Sequence, residues 1–477
     1  MMGKNATFIP IMFFRRSAKM QRVSKAVHRF QSIAALTLLS AICVAESPRI
    51  YPTGVTIYDP ARAYNCFVGF SSLDGHMHLI DMDGNEVHRW EHPGNPGEVI
   101  DPKLIGGARG HVMLQLAENG DPRGGIFTNQ TVGEVDWEGK TVWQWSGEAA
   151  DGSARQNHDW QRLKNGNTLL LVAIPHAVPG LGPKVIGDQG IKEVTPEGKV
   201  IWSWIAGDHL AEFGFPPEGM AYLRERVKRN PPEPYGYLEI NDMQVLGPNK
   251  WFDAGDKRFD PENIMIDARK GNVVLILSKK TGKVVWRLGP VFPGDGYSPD
   301  QRIEKKNVPR PVDQISGQHN AHLIAEGLPG AGNLLLYDDE GGAGFPPAAL
   351  GIYAGSRILE IDPVKKEIVW QYTGENSGRP TWTFFTSFVS NAQRLPNGNT
   401  LIDEGMNGRI FQITSDGTIV WEYVTPYVSK GSMDGKPFNS SLTYRAQAVP
   451  YEWVPEGTPH AEKPVKELDV TTFRVPY

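Results

Sequence analysis

Tyr444-Arg445-Ala446-Gln447-Ala448-Val449 reads as a strand near the end of the chain with no hairpin partner after it. Its pattern, polar residues followed by a short apolar run, recurs in five other places. These are Ile100-Asp101-Pro102-Lys103-Leu104-Ile105, His158-Asp159-Trp160-Gln161-Arg162-Leu163, Asn241-Asp242-Met243-Gln244-Val245-Leu246, Gly317-Gln318-His319-Asn320-Ala321-His322-Leu323-Ile324 and Ser390-Asn391-Ala392-Gln393-Arg394-Leu395. A second phrase repeats out of step with the first. It runs Glu138-Gly139-Lys140-Thr141-Val142-Trp143, Glu197-Gly198-Lys199-Val200-Ile201-Trp202, Thr281-Gly282-Lys283-Val284-Val285-Trp286 and Asp416-Gly417-Thr418-Ile419-Val420-Trp421, with looser copies ending at Trp90 and Trp370. A turn with Gly followed by a β-branched run is hairpin chemistry. A repeat length of roughly 50–85 residues suits four strands plus insertions.

Counting strands within the units sets the fold. The third unit offers 158–163, 168–173, 190–195 and 199–204, and the sixth offers 391–395, 400–404, 409–414 and 418–423. The first unit has only 64–70, 76–82 and 86–90. The orphan strand 444–449 supplies what it lacks. The expectation is all-β: a six-bladed β-propeller whose C-terminal strand closes the first blade, an arrangement that leaves only short sheet edges. A solenoid or a row of hairpins is the alternative, but neither requires a missing strand to reappear at the far end.

The bulk figures agree. The chain has 477 residues, 40% hydrophobic, with Gly 52, Pro 37 and Trp 13, as many short strands and turns would require. A net charge of −5 gives no basic footprint for nucleic acid. Residues 1–45 read as a signal peptide: Arg15, Arg16, Lys19, Arg22, Lys25 and Arg29 precede the apolar run 33–45, which is too short to span a bilayer. Cleavage after Ala45, with Met1 or Met20 as the start, predicts a periplasmic or secreted protein with no membrane attachment; an uncleaved anchor is the alternative. Only Cys66 would then remain, so no disulfide is expected. Residues 46–460 form one propeller domain with insertions at 207–237, where 220–228 should be helical, and at 289–316; 461–477 is a tail. No oligomeric state can be read from the sequence.

The first strands of propeller blades line the axis and run the same way, so their starting residues meet at one mouth. Here that gathers His158, Asn241, His319, Asn391, Tyr444 and Arg445, with Asp101, Asp159, Asp242 and Asn320 next in line. Two imidazoles, a guanidinium and several amides can hold a small oxyanion and move a proton. No Ser or Cys nucleophile motif, phosphate loop, quinone site or familiar metal-ligand spacing is visible, so neither cofactor nor metal is expected. Plainer roles stand beside these. His158 and His319 could be hydrogen-bonded strand ends, and Arg445 an ion-pair partner for Asp101 or Asp159. His322 holds the place taken by Gln161, Gln244, Gln393 and Gln447, where a polar group pairs with backbone.

Gln318-His319-Asn320-Ala321-His322, then Gly332-Asn333-Leu334-Leu335-Leu336-Tyr337-Asp338-Asp339, and Asn391-Ala392-Gln393-Arg394-Leu395-Pro396-Asn397-Gly398-Asn399-Thr400-Leu401-Ile402 together resemble the bacterial arylsulfotransferase family. So do Ser356-Arg357-Ile358-Leu359-Glu360-Ile361-Asp362 and Leu79-Ile80-Asp81-Met82-Asp83-Gly84. The resemblance implies a sulfotransferase that needs no nucleotide donor. A central histidine takes a sulfuryl group from an aryl sulfate, a phenol leaves, and the sulfohistidine passes the group to a second phenol. By position His319 is the first carry-over and His158 the next, with Arg445 and His322 as further catalytic candidates and a second His to protonate the leaving phenoxide. Arg445 and the amides Asn241, Asn320 and Asn391 balance the sulfuryl oxygens, Tyr444 contacts substrate, and Trp382, Phe384 and Phe385 wall the aryl ring. Two departures stand out: Asn241 and Ser390-Asn391 open their units where the family pattern suggests another His, and Gly341-Gly342-Ala343-Gly344 lacks an Arg that Arg357 or Arg445 would have to replace. A hydrolase using water as acceptor and a non-catalytic ligand-binding propeller remain open beside the transferase.

Overall fold

The computed structural model describes residues 52–116, 131–147, 156–229, 236–289, 315–340, 343–345, 355–433 and 436–467. The expected signal peptide 1–45, nearly all of the insertion 289–316, the Gly341-Gly342 pair and the end of the tail lie outside them. Six antiparallel sheets of four or five strands stand in a ring, a six-bladed β-propeller. Blade 1 takes its innermost strand, Gln447–Val449, from the far end of the chain and pairs it with Phe67–Ser71. The ring is therefore closed as the orphan strand requires. A second closure was not foreseen: Gly54–Tyr58 pairs with Ile419–Val424, making a fifth, outermost strand on blade 6.

Burial explains the strand types. Middle strands are largely covered on both faces, and some are apolar throughout, as in Val273–Leu277, whereas outer strands such as Glu367–Tyr372 alternate exposed and inward residues. The core is not one mass but six apolar clusters, one between each pair of neighbouring blades, with a small seventh formed by Val389, Leu442 and Tyr444. The helix Pro217–Arg229, within the insertion at 207–237, adds Leu223 and Val227 to the cluster between blades 3 and 4.

The tryptophan phrase fastens the rim. In every blade an outer-strand indole N–H donates to a turn carbonyl of the next blade. Trp90 reaches Asp136, Trp145 reaches Gly198, Trp204 reaches Gly282, Trp286 reaches Pro363, Trp370 reaches Ser415, and Trp421 returns to Met82 of blade 1. Each such bond contributes about 1 kcal/mol net, on top of the apolar area that each indole covers.

One inner strand differs from its sequence-based assignment. In blade 2 it is Gly94–Val99, and the stretch 100–105 follows it as a short 3₁₀ turn capped by the Asp101 carboxylate. Asp101 therefore stands away from the axis, and Glu98 takes the axial place. Among the described residues no helix is long and apolar enough to cross a membrane.

Candidate functional site: a histidine layer above an ion-paired axis

Three positions of the inner strands build the axis. The innermost clasp is a ring of glutamines. Gln161 accepts from the Val245 N–H (2.9 Å), Gln244 brackets Leu323 (2.8 and 3.1 Å), Gln393 accepts from Ala448 (2.8 Å), and Gln447 brackets Val99 (2.8 and 3.0 Å). Each side chain thus pairs with the backbone of another blade's inner strand. His322 occupies this position in blade 5, and its Nδ1 lies 2.9 Å from Asn320 O of its own strand. Glu98 occupies it in blade 2.

The next position carries charge. Arg445 is buried and donates to Asp159 Oδ1 at 3.1 Å and to Asn241 O at 2.6 Å; its Nη2 also lies 3.1 Å from Asp242 Oδ1. Asn320 donates to Asp242 Oδ1 (3.0 Å), while Asn391 brackets Ala446 (2.8 and 3.0 Å). A cavity of about 210 Å³ lies against these two layers, touching Glu98, Asp159, Asp242, His322, Asn391 and Arg445. Glu98 is half-buried, and burial pushes its carboxyl up to about 7, with Arg445 opposing. Burial likewise raises the Asp159 carboxyl well above its ordinary value against the pull of Arg445. With three carboxyl groups against one guanidinium, this cavity does not suit a sulfate.

The two histidines sit apart from it. His158 and His319 are 3% and 1% exposed, and neither lines the cavity. Tyr444 packs edge-on to His319, with ring centroids 6.4 Å apart. His319 Nδ1 lies 2.6 Å from Asp339 Oδ2, whose other oxygen accepts from Ser390 Oγ at 2.8 Å. The Val389 N–H points at His319 Nε2 from 3.3 Å. That network assigns the proton to Nδ1 and leaves the lone pair on Nε2. Burial lowers His319 to about 3, aided by Arg269, and lowers His158 to about 3 as well. Both rings are neutral at ordinary pH.

Cations gather on this side too. Arg269 Nη2 donates to Ser387 O (2.9 Å), and Arg269 and Lys270 stand 3.5 and 3.1 Å from Glu239. Burial favours the neutral acid at Glu239, but Arg269 and Lys270 outweigh it and hold the carboxyl down at about 2. The backbone is forced here: His158, Glu239, Asn320 and Val389, all at blade entries, have φ of 69°, 49°, 54° and 55°. For residues other than Gly such angles cost about 1–3 kcal/mol each and concentrate at functional sites.

His319, His158 and Tyr444 thus come together in one layer, with Asn241 at the same strand position. Arg445 lies in the next layer, and Asn320, Asn391 and His322 border the cavity. Asn241 donates to Gln318 O (2.9 Å) and accepts from the Asn320 N–H (3.3 Å), a clasp like that of Asn391. Trp382 and Phe385 are exposed, 69% and 38%, while Phe384 is a core residue packed on Tyr337, Tyr372 and Phe411 and is no wall for a ligand. Arg357 is tied to Asp338 at 2.8 Å. Sequence reasoning missed Asp339, Glu239, Arg269 and Lys270. Their signal was topological: a second strand ends at the mouth where a first strand begins, so residues 268–270 and 338–340 had to return there.

Fold and axis together define a propeller protein with a buried, histidine-centred polar site. The Arylsulfotransferase (ASST) family model matches residues 74–435. The chain belongs to that family, which supports an arylsulfotransferase-type function and, as substrates, aryl sulfates and phenols. Comparison with curated proteins finds no match. Among solved structures, a Bacteroides caccae protein of unknown function is 12% identical, with 80% of this chain and 98% of that one covered at a TM-score of 0.43. A streptogramin B lyase structure is 13% identical over 83% and 92% (TM-score 0.34), and the β-propeller domain of Myceliophteria thermophila Cps50 (Swd1) 9% over 83% and 99% (0.34).

Proposed function

We propose that the protein transfers a sulfuryl group from an aryl sulfate to a phenol through an adduct on His319 Nε2. The observation that carries this reading is the buried Asp339–His319 pair, which fixes the tautomer and presents a neutral nitrogen nucleophile. The Nε2 lone pair forms the N–S bond as the S–O(aryl) bond breaks, and phenoxide leaves with the electron pair. The acceptor phenol reverses these steps: its oxygen bonds to sulfur and the N–S pair returns to the ring. Arg269 and Lys270 balance the sulfuryl charge, as preorganised cations do for developing anions. His158 lies within electrostatic reach of His319 and passes the acceptor hydroxyl's proton on to solvent, while the departing phenoxide takes its proton from water. At a pKa of about 3 it is not an imidazolium waiting to protonate phenoxide. Substrate entry must displace the Val389 N–H from Nε2.

Incubation with a chromogenic aryl sulfate should release one equivalent of phenol as a burst and then turn over only with an added phenol acceptor. Turnover in water alone would replace the transferase with a hydrolase. Burial of both rings favours a second reading, a non-catalytic ligand-binding propeller, which predicts binding without any phenol release. We also propose export, with a mature chain beginning at Glu46; N-terminal sequencing of protein recovered outside the cytoplasm decides it, and an intact Met1 or Met20 start would reject it.

A further inference from the structure

A second cluster of ligating groups lies on blade 1, outside the axial site. The turn between Phe67–Ser71 and Met77–Ile80 carries Asp74, His76 and His78, whose donor atoms all lie within 4.8 Å of one another. His78 Nε2 is 3.2 Å from both Asp74 oxygens, and His76 Nδ1 is 3.5 Å from Asp74 Oδ1. A tetrahedral ion with bonds of about 2.0–2.2 Å holds its donors roughly 3.3 Å apart, so these spacings need little adjustment.

The outer nitrogens are held as they are in metal centres. His78 Nδ1 lies 2.6 Å from Glu86 Oε2, and His76 Nε2 lies 2.7 Å from Glu91 Oε2. A carboxylate behind each imidazole fixes its tautomer and strengthens the opposite nitrogen as a ligand. Those carboxylates are themselves positioned: Tyr427 donates to Glu86 (2.9 Å), and Arg89 donates to Glu91 (3.0 Å). His76 Nδ1 is buried and has no hydrogen-bond partner. Asp74, Glu86 and Glu91 against Arg89 leave about two negative charges, which a divalent cation neutralises.

We propose that Asp74 Oδ2, His76 Nδ1 and His78 Nε2 bind a divalent first-row transition ion of the zinc type, with a fourth position open to water. Two imidazoles and one carboxylate favour such an ion over magnesium or calcium, which take oxygen donors. The site straddles the seam where the ring closes. Tyr427, from the exit of blade 6, stacks on His78 with centroids 3.8 Å apart. Ser71, at the foot of the turn, accepts the Tyr444 N–H at 3.0 Å. An ion here would brace the blade 1 hairpin whose His78 stacks on Tyr427 of blade 6.

The test uses the full chain, stripped with EDTA and dialysed, then titrated with Zn²⁺ or Co²⁺ alone. One equivalent should bind, the melting temperature should rise by about 3–5 °C at saturating Zn²⁺, and Co²⁺ should give the visible absorption of a four-coordinate site. Mg²⁺ and Ca²⁺ should do nothing. Asp74→Asn and His76→Gln, at partly exposed positions, should fold normally without metal and lose the shift; Glu91→Gln should weaken binding by roughly 10–100-fold. Absence of a stoichiometric Zn²⁺ equivalent in the parent would overturn the proposal. So would Zn²⁺ affinity unchanged in Asp74→Asn and His76→Gln, which would place the ion elsewhere.

Discussion

His319→Ala should abolish the phenol burst and the sulfuryl adduct, lowering aryl-sulfate turnover by at least about 10³-fold, the scale on which removal of a covalent nucleophile acts. Fold should survive, because Asp339 keeps the Ser390 hydroxyl as a partner once the ring between it, Tyr444 and the Val389 N–H is removed. His319→Gln keeps more of the volume and should be equally inactive. The reactive form is the unprotonated ring, and its pKa is lowered to about 3. Burst rate should therefore stay level from pH 8 to pH 5, without an acid limb at the ordinary histidine value near 6.5. Mass spectrometry of the quenched burst reads the adduct. A sulfuryl group still present on the His319→Ala chain, or a limb near pH 6.5, would remove His319 from the nucleophile's role.

The second large effect is on stability. Arg445→Leu should cost about 3–5 kcal/mol, the usual consequence of stripping the partner from buried charge. Arg445 is the cation that faces Asp159 and Asp242 at 3.1 Å and opposes the burial of Glu98. Without it the Asp159 and Glu98 carboxyls, which burial already raises, would titrate higher still in the folded chain than in the unfolded one. The folded state then holds more protons, so stability falls as pH rises above the unfolded carboxylate range near 4. Urea unfolding at pH 5 and pH 8 should show the larger deficit at pH 8. A deficit under about 1 kcal/mol, or one equal at both pH values, would contradict the ion-pair account of the axis.

Much of this was legible from repetition. The tryptophan phrases and the orphan strand at 444–449 fix blade number and closure, because an alternating strand ending in Trp is a local signal. Where the signal is not local, reading fails. Gly94-Asn95-Pro96-Gly97-Glu98-Val99 has two Gly and a Pro and resembles no strand. Yet Ser71 Oγ accepts the Asn95 and Gly97 N–H groups (3.2 and 2.9 Å), and Gln447 brackets Val99, so tertiary bonds make it one. Gly54–Tyr58 was invisible for the same reason, since its partner lies at 419–424. The axial histidines could be placed by counting along copies of one strand. Asp339 and Arg269, which give His319 its tautomer and its electrostatic surroundings, come from the ends of other strands, and no copy of the His319 pattern points to them.

Two strands from opposite ends of the chain complete neighbouring blades, and the bonds across that junction join residues very far apart in sequence. Trp421 reaches Met82 over 339 residues, Thr56 reaches Glu422 over 366, and Gln447 reaches Val99 over 348. Closing so long a loop carries an entropic cost that grows slowly with its length, and one closure serves all of these contacts together. Until then blade 1 lacks its axial strand, Asp159 and Asp242 lack their guanidinium, and His319 lacks Tyr444. The polar axial layer is therefore completed by the same contacts that make the molecule a ring.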